Sequence, residues 1–358
     1  MASKANLSRT KKPYRDEESR LGKGVANLRK KFKKTKDLFL RGKREKNIDA
    51  WIFNPVNLPK FGKEFWFMQF VSTDKNANEQ IFLTFGHSEG KVKVNSMTLD
   101  SDKLDQLFAS VCWAYQDKKI SILNNASKFS SDRHELRLKT SDTDISFKGS
   151  YPNYTITIKK GGKIISKLNL FELKTKQDKY EFYEYFKGIF GSEIINLYMN
   201  FEGTLNRKKI RGRALVQKVI YTGPFIPWKW GRLTFNNGST MEFFNVRLGG
   251  KRLNYRINSD LNLSDRKTGK KIHLEGVMVE EIKGTPFWIV QNEDKKLKIV
   301  LESYSEEDFT FKGLGKFWYR EHLVKIIYFN FEIDGRVIDL SELGGGIGML
   351  ENTAGHMI

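Results

Sequence analysis

Cysteine is almost missing: one residue, Cys112, in 358. That excludes an intrachain disulfide framework and any cysteine-rich metal site. Cys112 lies in the apolar stretch ASVCWAY, the setting of an inert buried thiol. The five histidines (His87, His134, His273, His322 and His356) include no pair at the i, i+4 spacing of a helical metal site. No metal and no cofactor are expected. No run approaches the ~20 apolar residues that span a bilayer, and the first residues lack the apolar core of a secretory signal. A soluble, cytoplasmic protein in a reducing compartment is the expectation. Acidic residues are also short, with 42 Asp/Glu against 63 Lys/Arg and a net charge of +21.

The excess charge is concentrated at one end. Residues 1–46 hold 17 Lys/Arg and 5 Asp/Glu, or +12, which leaves 21 − 12 = +9 for the rest. Leu21, Val25, Leu28, Phe32 and Phe39 recur at helical spacing, and lysines crowd the opposite face. Such a helix can lie on an anionic membrane, with Val25, Leu28 and Phe32 among the acyl chains and Lys30, Lys31, Lys33 and Lys34 on the headgroups. It could equally neutralise nucleic-acid phosphates, although the body shows no nucleic-acid module. The plain alternative is a solvated tail or a helix packed on its own body.

From Trp51 onward the chain reads as short segments rich in aromatic and β-branched residues, several alternating apolar with polar, as in Thr155–Ile158. Asn-Gly at 237–238 joins two such segments as a hairpin turn. No βαβ unit is present, which excludes a parallel nucleotide-binding sheet. Residues 176–190, KQDKYEFYEYFKGIF, break the pattern and are expected to form a short helix. A chain of this length exceeds the roughly 250–300 residues of a single core. The expectation is an all-β protein with a basic N-terminal helical arm (1–46) and two antiparallel barrels in succession (47–195 and 196–358).

Gly86–Gly90 matches the G-x-S-x-G nucleophile elbow, but alternating residues follow it where a helix is needed, so it reads as a hairpin turn between strands. Gly346-Ile347-Gly348 lacks the downstream helix and acid of a dinucleotide loop. Trp228 and Trp230 fall on one face of a strand that follows two prolines. On a barrel interior they would form a broad apolar wall suited to a hydrophobic small molecule; plain core packing is the alternative. The terminal stretch GGGIGMLENTAGHM poses a question of its own, with five glycines, a lone carboxylate (Glu351) and almost no solubilising charge.

Four places together resemble the lipocalin-like superfamily that includes carotenoid 1,2-hydratase and the AttH-type proteins. They are Glu64-Phe65-Trp66-Phe67, Gly212-Arg213-Ala214, Trp228-Lys229-Trp230 with Asn237-Gly238, and Gly348–His356. The resemblance covers about residues 47–358 and implies paired barrels around a hydrophobic isoprenoid or lipid ligand. It also implies that the chain end is a buried last strand with Glu351 turned inward. A carboxyl so placed is pushed toward its acid form; the alternative is a Glu351 paired with Arg232 or Arg247. The resemblance makes Trp66, Trp228, Trp230, Phe244 and His356 the ligand-contacting candidates. Where the hydratases carry a histidine before the W-x-W, this chain reads Ile220-Tyr221-Thr222-Gly223. Hydratase activity therefore does not carry over by analogy.

Two functional readings share this fold. One is a binder of a hydrophobic ligand held near a membrane surface. The other is a hydratase or cyclase in which Glu351 donates a proton, assisted by Tyr221 or Glu242. A nucleic-acid-associated β-protein stands outside both.

Overall fold

The computed structural model describes residues 47–74, 78–100, 107–116, 118–173, 180–185, 190–248 and 255–357. The basic arm, with Val25, Leu28, Lys30, Lys31, Phe32, Lys33 and Lys34, lies outside the described residues. Among the described residues, no helix is long and apolar enough to cross a membrane.

The chain opens with a short helix, α1 (Ile48–Phe53), and then runs as β1 (Gly62–Ser72), β2 (Gln80–Ser88), β3 (Lys91–Val94), β4 (Met97–Asp100), β5 (Leu107–Gln116) and β6 (Lys118–Ser131). It continues as β7 (Glu135–Lys139), β8 (Thr143–Ser150), β9 (Asn153–Lys160), β10 (Lys163–Glu172), β11 (Tyr180–Tyr185), β12 (Phe190–Leu205) and β13 (Lys208–Thr222). With β3 and β4 set aside, these strands form one sheet in the order β10-β9-β8-β7-β6-β5-β2-β1-β13-β12-β11. Pairing of β10 with β12 closes it into an antiparallel barrel.

The second sheet begins with β14 (Trp228–Phe235), β15 (Thr240–Leu248), β16 (Tyr255–Ser264), β17 (Lys271–Glu275), β18 (Val277–Glu281) and β19 (Phe287–Asn292). It ends with β20 (Leu297–Gly313), β21 (Gly315–Ile333), β22 (Arg336–Asp339), α2 (Leu340–Leu343) and β23 (Gly346–Met357). Its order is β17-β16-β15-β14-β23-β21-β20-β19-β18, with β22 on β21 and the β3–β4 hairpin on β20. Among the described strands no backbone ladder joins its two ends. Instead the side chains of Asn245 and Ser259 donate to the Val277 carbonyl at 2.6 and 2.5 Å.

Alternation explains the layers. On β1, Trp66, Met68 and Phe70 enter the first barrel, while Phe67 faces the second sheet. A strand covered on both sides is largely apolar, as Phe65-Trp66-Phe67-Met68 is. Helix α1, capped by the Asn47 side chain on the Asp49 and Ala50 N–H groups, plugs the barrel with Ile52 and Phe53. Its last carbonyls are bound by Lys218 Nζ, 2.8 Å from Trp51 O and 2.6 Å from Asn54 O. A separate core holds the second sheet, built on Leu233, Phe235, Trp288 and Val324. Phe67, Phe82, Trp113, Leu215, Leu323 and Met349 join the two sheets.

Three expectations change. Residues 180–185 form β11, not helix; Tyr180, Phe182, Tyr183 and Tyr185 favour a strand, and β12 supplies its ladder. The division expected at 195 falls inside β12, and the chain changes sheet between Thr222 and Trp228. Gly86–Gly90 does form a turn between strands, but β2 and β3 do not pair: the turn carries the chain from the first sheet to the second. The Asn237-Gly238 hairpin is present, with Gly238 at φ 88° and the Asn237 side chain accepting from Ser239 N at 2.8 Å.

Candidate functional site between the sheets

A cavity of about 520 Å³ lies between the two sheets. That is within the roughly 300–1,000 Å³ of small-molecule sites. Its walls are Phe65 and Phe67 of β1, Trp228 and Trp230 of β14, Phe244 of β15, Phe309 and Phe311 of β20, and Phe317 and Tyr319 of β21. The β3–β4 hairpin adds Val92, Val94, Met97 and Leu99. A further, more open depression of about 640 Å³ near Asp132, His134 and Asn169 has no comparable aromatic enclosure.

Sheet register sets the position of Glu351. It stands opposite Trp230 on β14 and opposite Glu321 on β21. Its Oε2 accepts the Trp228 indole N–H at 2.7 Å, and its Oε1 accepts the Tyr319 hydroxyl at 2.6 Å. Trp228 is fixed in turn by Thr353, whose hydroxyl accepts from Trp228 N at 2.6 Å and donates to Trp228 O at 2.9 Å. The indole packs on Phe317 and Tyr319, with centroids 5.2 and 5.9 Å away. Glu351 is 8% exposed. Burial pushes its pKa up from 4.5 to about 7, and the two hydrogen bonds hold it from rising further.

Glu321, directly across the ladder, is 0% exposed. Burial first, and then the charge of Glu351, push its pKa well above the carboxylate range. Sequence reasoning missed this residue, although FWYREHL contains its signal: read with period two, Phe317, Tyr319, Glu321 and Leu323 share a face.

Further along the cavity, Arg232 and Glu242 form an ion pair at 3.2 Å. Tyr198 donates to the same carboxylate at 2.8 Å and lies under the Arg232 guanidinium. The arginine considered as a partner for Glu351 is thus bound to Glu242, and the Arg247 side chain lies outside the described residues. Tyr221 lines the cavity, but its hydroxyl donates to Pro224 O at 2.6 Å. Lys63 lies over the rings of Phe225 and Tyr221 and donates to Gly223 O at 2.8 Å. Burial lowers its pKa to about 8.

The cavity therefore gathers Glu351, Tyr221, Glu242, Trp228, Trp230 and Phe244. The two indoles face the gap between the sheets, not a barrel interior, because the opposite face of β14 carries Leu233 and Phe235 into the second core. Trp66 does not reach the cavity. It fills the first barrel, its indole donating to Ile52 O at 2.8 Å, because it alternates with Phe65 and Phe67. His356 is exposed on β23 and is not part of the cavity lining. At the barrel rim, Glu64 is bound by Lys218 at 2.8 Å and His87 at 2.7 Å. Burial alone would raise its pKa, but Lys218 and His87 outweigh burial and hold it low.

A crystal structure from Nitrosomonas europaea, assigned as an AttH, superposes on 83% of this chain and 96% of its own, with a TM-score of 0.50 and 12% identity. The chain shares that fold. CghA with Sch210972 aligns over 83% of this chain and 88% of its own at TM-score 0.47 and 11% identity. Kievitone hydratase from Nectria haematococca aligns over 85% and 94% at TM-score 0.43 and 11% identity. No protein-family model and no curated protein sequence matches the chain.

Proposed function

We propose that this protein binds a hydrophobic small molecule, an isoprenoid or other lipid, in the cavity between its sheets, and that Glu351 acts on it as a proton donor. One observation carries the reading: a carboxyl that titrates near 7 lines an aromatic cavity, and each of its oxygens receives a donor. With its pKa pushed up toward neutrality, the acid keeps a protonated fraction there, the form a general acid needs. When its proton leaves, Trp228 and Tyr319 already hold the carboxylate.

For hydration, the proton passes to one alkene carbon, water attacks the other, and the surplus proton of that water returns to the Glu351 carboxylate. The cationic carbon would face the rings of Trp228, Phe317 and Tyr319, which attract positive charge. For cyclisation, a second double bond replaces water as the nucleophile, and the proton lost from the ring returns to Glu351. The Arg232–Glu242 pair gives the far end of the cavity a polar anchor. The basic arm would hold the cavity near an anionic membrane, where such ligands reside.

The test is mass spectrometry of an organic extract from freshly purified protein, followed by incubation of the recovered compound with the parent and with Glu351→Gln. A stoichiometric apolar compound, converted by the parent and retained unchanged by the variant, is the expected result. Conversion by Glu351→Gln refutes the proton-donor role. Retention without conversion by either protein makes this a carrier.

A further inference from the structure

Glu321 lies behind the acid, outside the cavity lining, and has no part in the chemistry above. Among the described residues, neither of its oxygens closes a hydrogen bond of ordinary geometry, although the Tyr319 hydroxyl and the Trp113 indole N–H stand near it. The groups bearing on Glu321 are Glu351 on β23, Tyr319 on its own strand, Trp113 on β5 and Lys119 on β6; burial and the Glu351 charge outweigh the three that favour its ionised form. Lys119 is engaged elsewhere, with the Glu307 carboxylate and the Glu306 carbonyl, and no ion pair joins it to Glu321.

Opposed residues on neighbouring strands have Cβ atoms about 4.5–5.5 Å apart. Two buried carboxylates at that spacing do not ionise together. Donors decide which of them keeps the proton. Glu351 accepts two formed hydrogen bonds, from Trp228 and Tyr319, whereas Tyr319 and Trp113 only stand near Glu321 and close none with it.

Resting on the proposed role of Glu351, we propose that Glu321 remains protonated at neutral pH and serves as a positioning residue, directing the Tyr319 hydroxyl onto Glu351. Tyr319 and Glu321 are two positions apart on one face of β21. A neutral Glu321 offers its O–H to the phenol oxygen and leaves the phenol hydrogen for Glu351. An ionised Glu321 would compete for that hydrogen and draw it away from the acid. The neutral carboxyl thus supports the carboxylate formed when Glu351 gives up its proton.

The experiment is a pH titration of the purified full chain by difference infrared spectroscopy, with Glu351→Gln used to assign the Glu351 carbonyl band. The parent should show a second protonated-carboxyl band that persists well above the ordinary carboxylate range. That band should be absent from Glu321→Gln and present in Glu351→Gln. Glu321→Gln keeps a neutral donor and should leave Glu351 ionising at the parent pH. Glu321→Leu removes the donor and should raise that ionisation by about 0.5–1 pH unit, the worth of one hydrogen bond. In a Tyr319→Phe background, Glu321→Leu should shift nothing, and a rise equal to that in the parent would show that Glu321 does not act through Tyr319; if the leucine variants do not fold, the Glu321→Gln titration still decides the charge state. A drop of about one pH unit or more in Glu321→Gln would show that Glu321 was charged in the parent, and would overturn the proposal. An unmoved Glu351 in a folded Glu321→Leu protein overturns it as well. These spectra need no substrate, so loss of the enzymatic reading leaves their outcome intact.

Discussion

Replacing Glu351 by glutamine should flatten the dependence of stability on pH. In the unfolded chain this carboxyl ionises near its ordinary 4.5, and in the folded protein near 7. Between those values the folded state holds a proton that the unfolded state has released, so stability falls as pH rises through the window. Below 4.5 both states are protonated and nothing is lost; above 7 the loss is complete. The difference, 7 − 4.5, at about 1.4 kcal/mol per pH unit, amounts to about 3 kcal/mol in all, most of which falls between pH 5 and pH 8. The group is almost fully buried, so solvent screening takes little from that figure. Urea unfolding of the parent and of Glu351→Gln at both pH values reads the quantity, because every other titrating group is common to the two proteins and Glu321, which feels the Glu351 charge, is by our proposal the protonated member of the pair. The parent should lose about 2–3 kcal/mol more than the variant on going from pH 5 to pH 8. Parallel losses would mean that Glu351 ionises in the fold as it does in water, and the argument for a proton donor would fail.

Trp228→Phe keeps most of the ring but removes the indole N–H that favours the Glu351 carboxylate, so Glu351 should ionise about one pH unit higher, as read by infrared titration. Lys218→Met leaves Glu64 buried without its ammonium partner and should cost about 3–5 kcal/mol in equilibrium unfolding. Adding Glu64→Gln should recover part of that loss, and simple additivity of the two substitutions would refute the coupling. Gly348→Ala would place a methyl group 2.0 Å from the Arg232 carbonyl oxygen, so a lower melting temperature and a loss of about 1–3 kcal/mol are expected.

Much of this arrangement was legible in the sequence because sheet proteins write their faces in alternation. The Trp228–Trp230 pair follows from that pattern, and the Asn237-Gly238 turn from its turn chemistry. The inward-facing Glu351 and the buried glycine-rich ending were implied by the family resemblance instead; in the structure Gly348 lets β23 lie tightly against the β14 backbone. The pattern could not say which of two buried faces looks where. On β1 and β14 both faces are covered, so Trp66 was assigned to a ligand wall when it packs a core, and Trp228 was placed inside a barrel when it faces outward. Glu321 was hidden by its setting, since Arg320, Glu321 and His322 read together as a solvated charged run. Tyr180–Tyr185 misled by its lack of glycine and proline, because strand character there comes from the partner β12. Each of these facts resides in pairings between distant segments, which local composition does not record.

The β3–β4 hairpin has a consequence for how the chain is made. Its backbone bonds are to β20, and Asn95 meets Asp308 across 213 positions of sequence. At about 5–20 residues per second, a ribosome needs roughly 10–40 s to deliver that partner. The first barrel gains its last strand, β13, part-way through that interval, and Val92, Val94, Met97 and Leu99 have no second sheet to cover them until the interval ends. The nascent chain is thus obliged to display an apolar ribbon until the second half arrives, and the wall of the future cavity is also the surface most exposed to misassembly during synthesis.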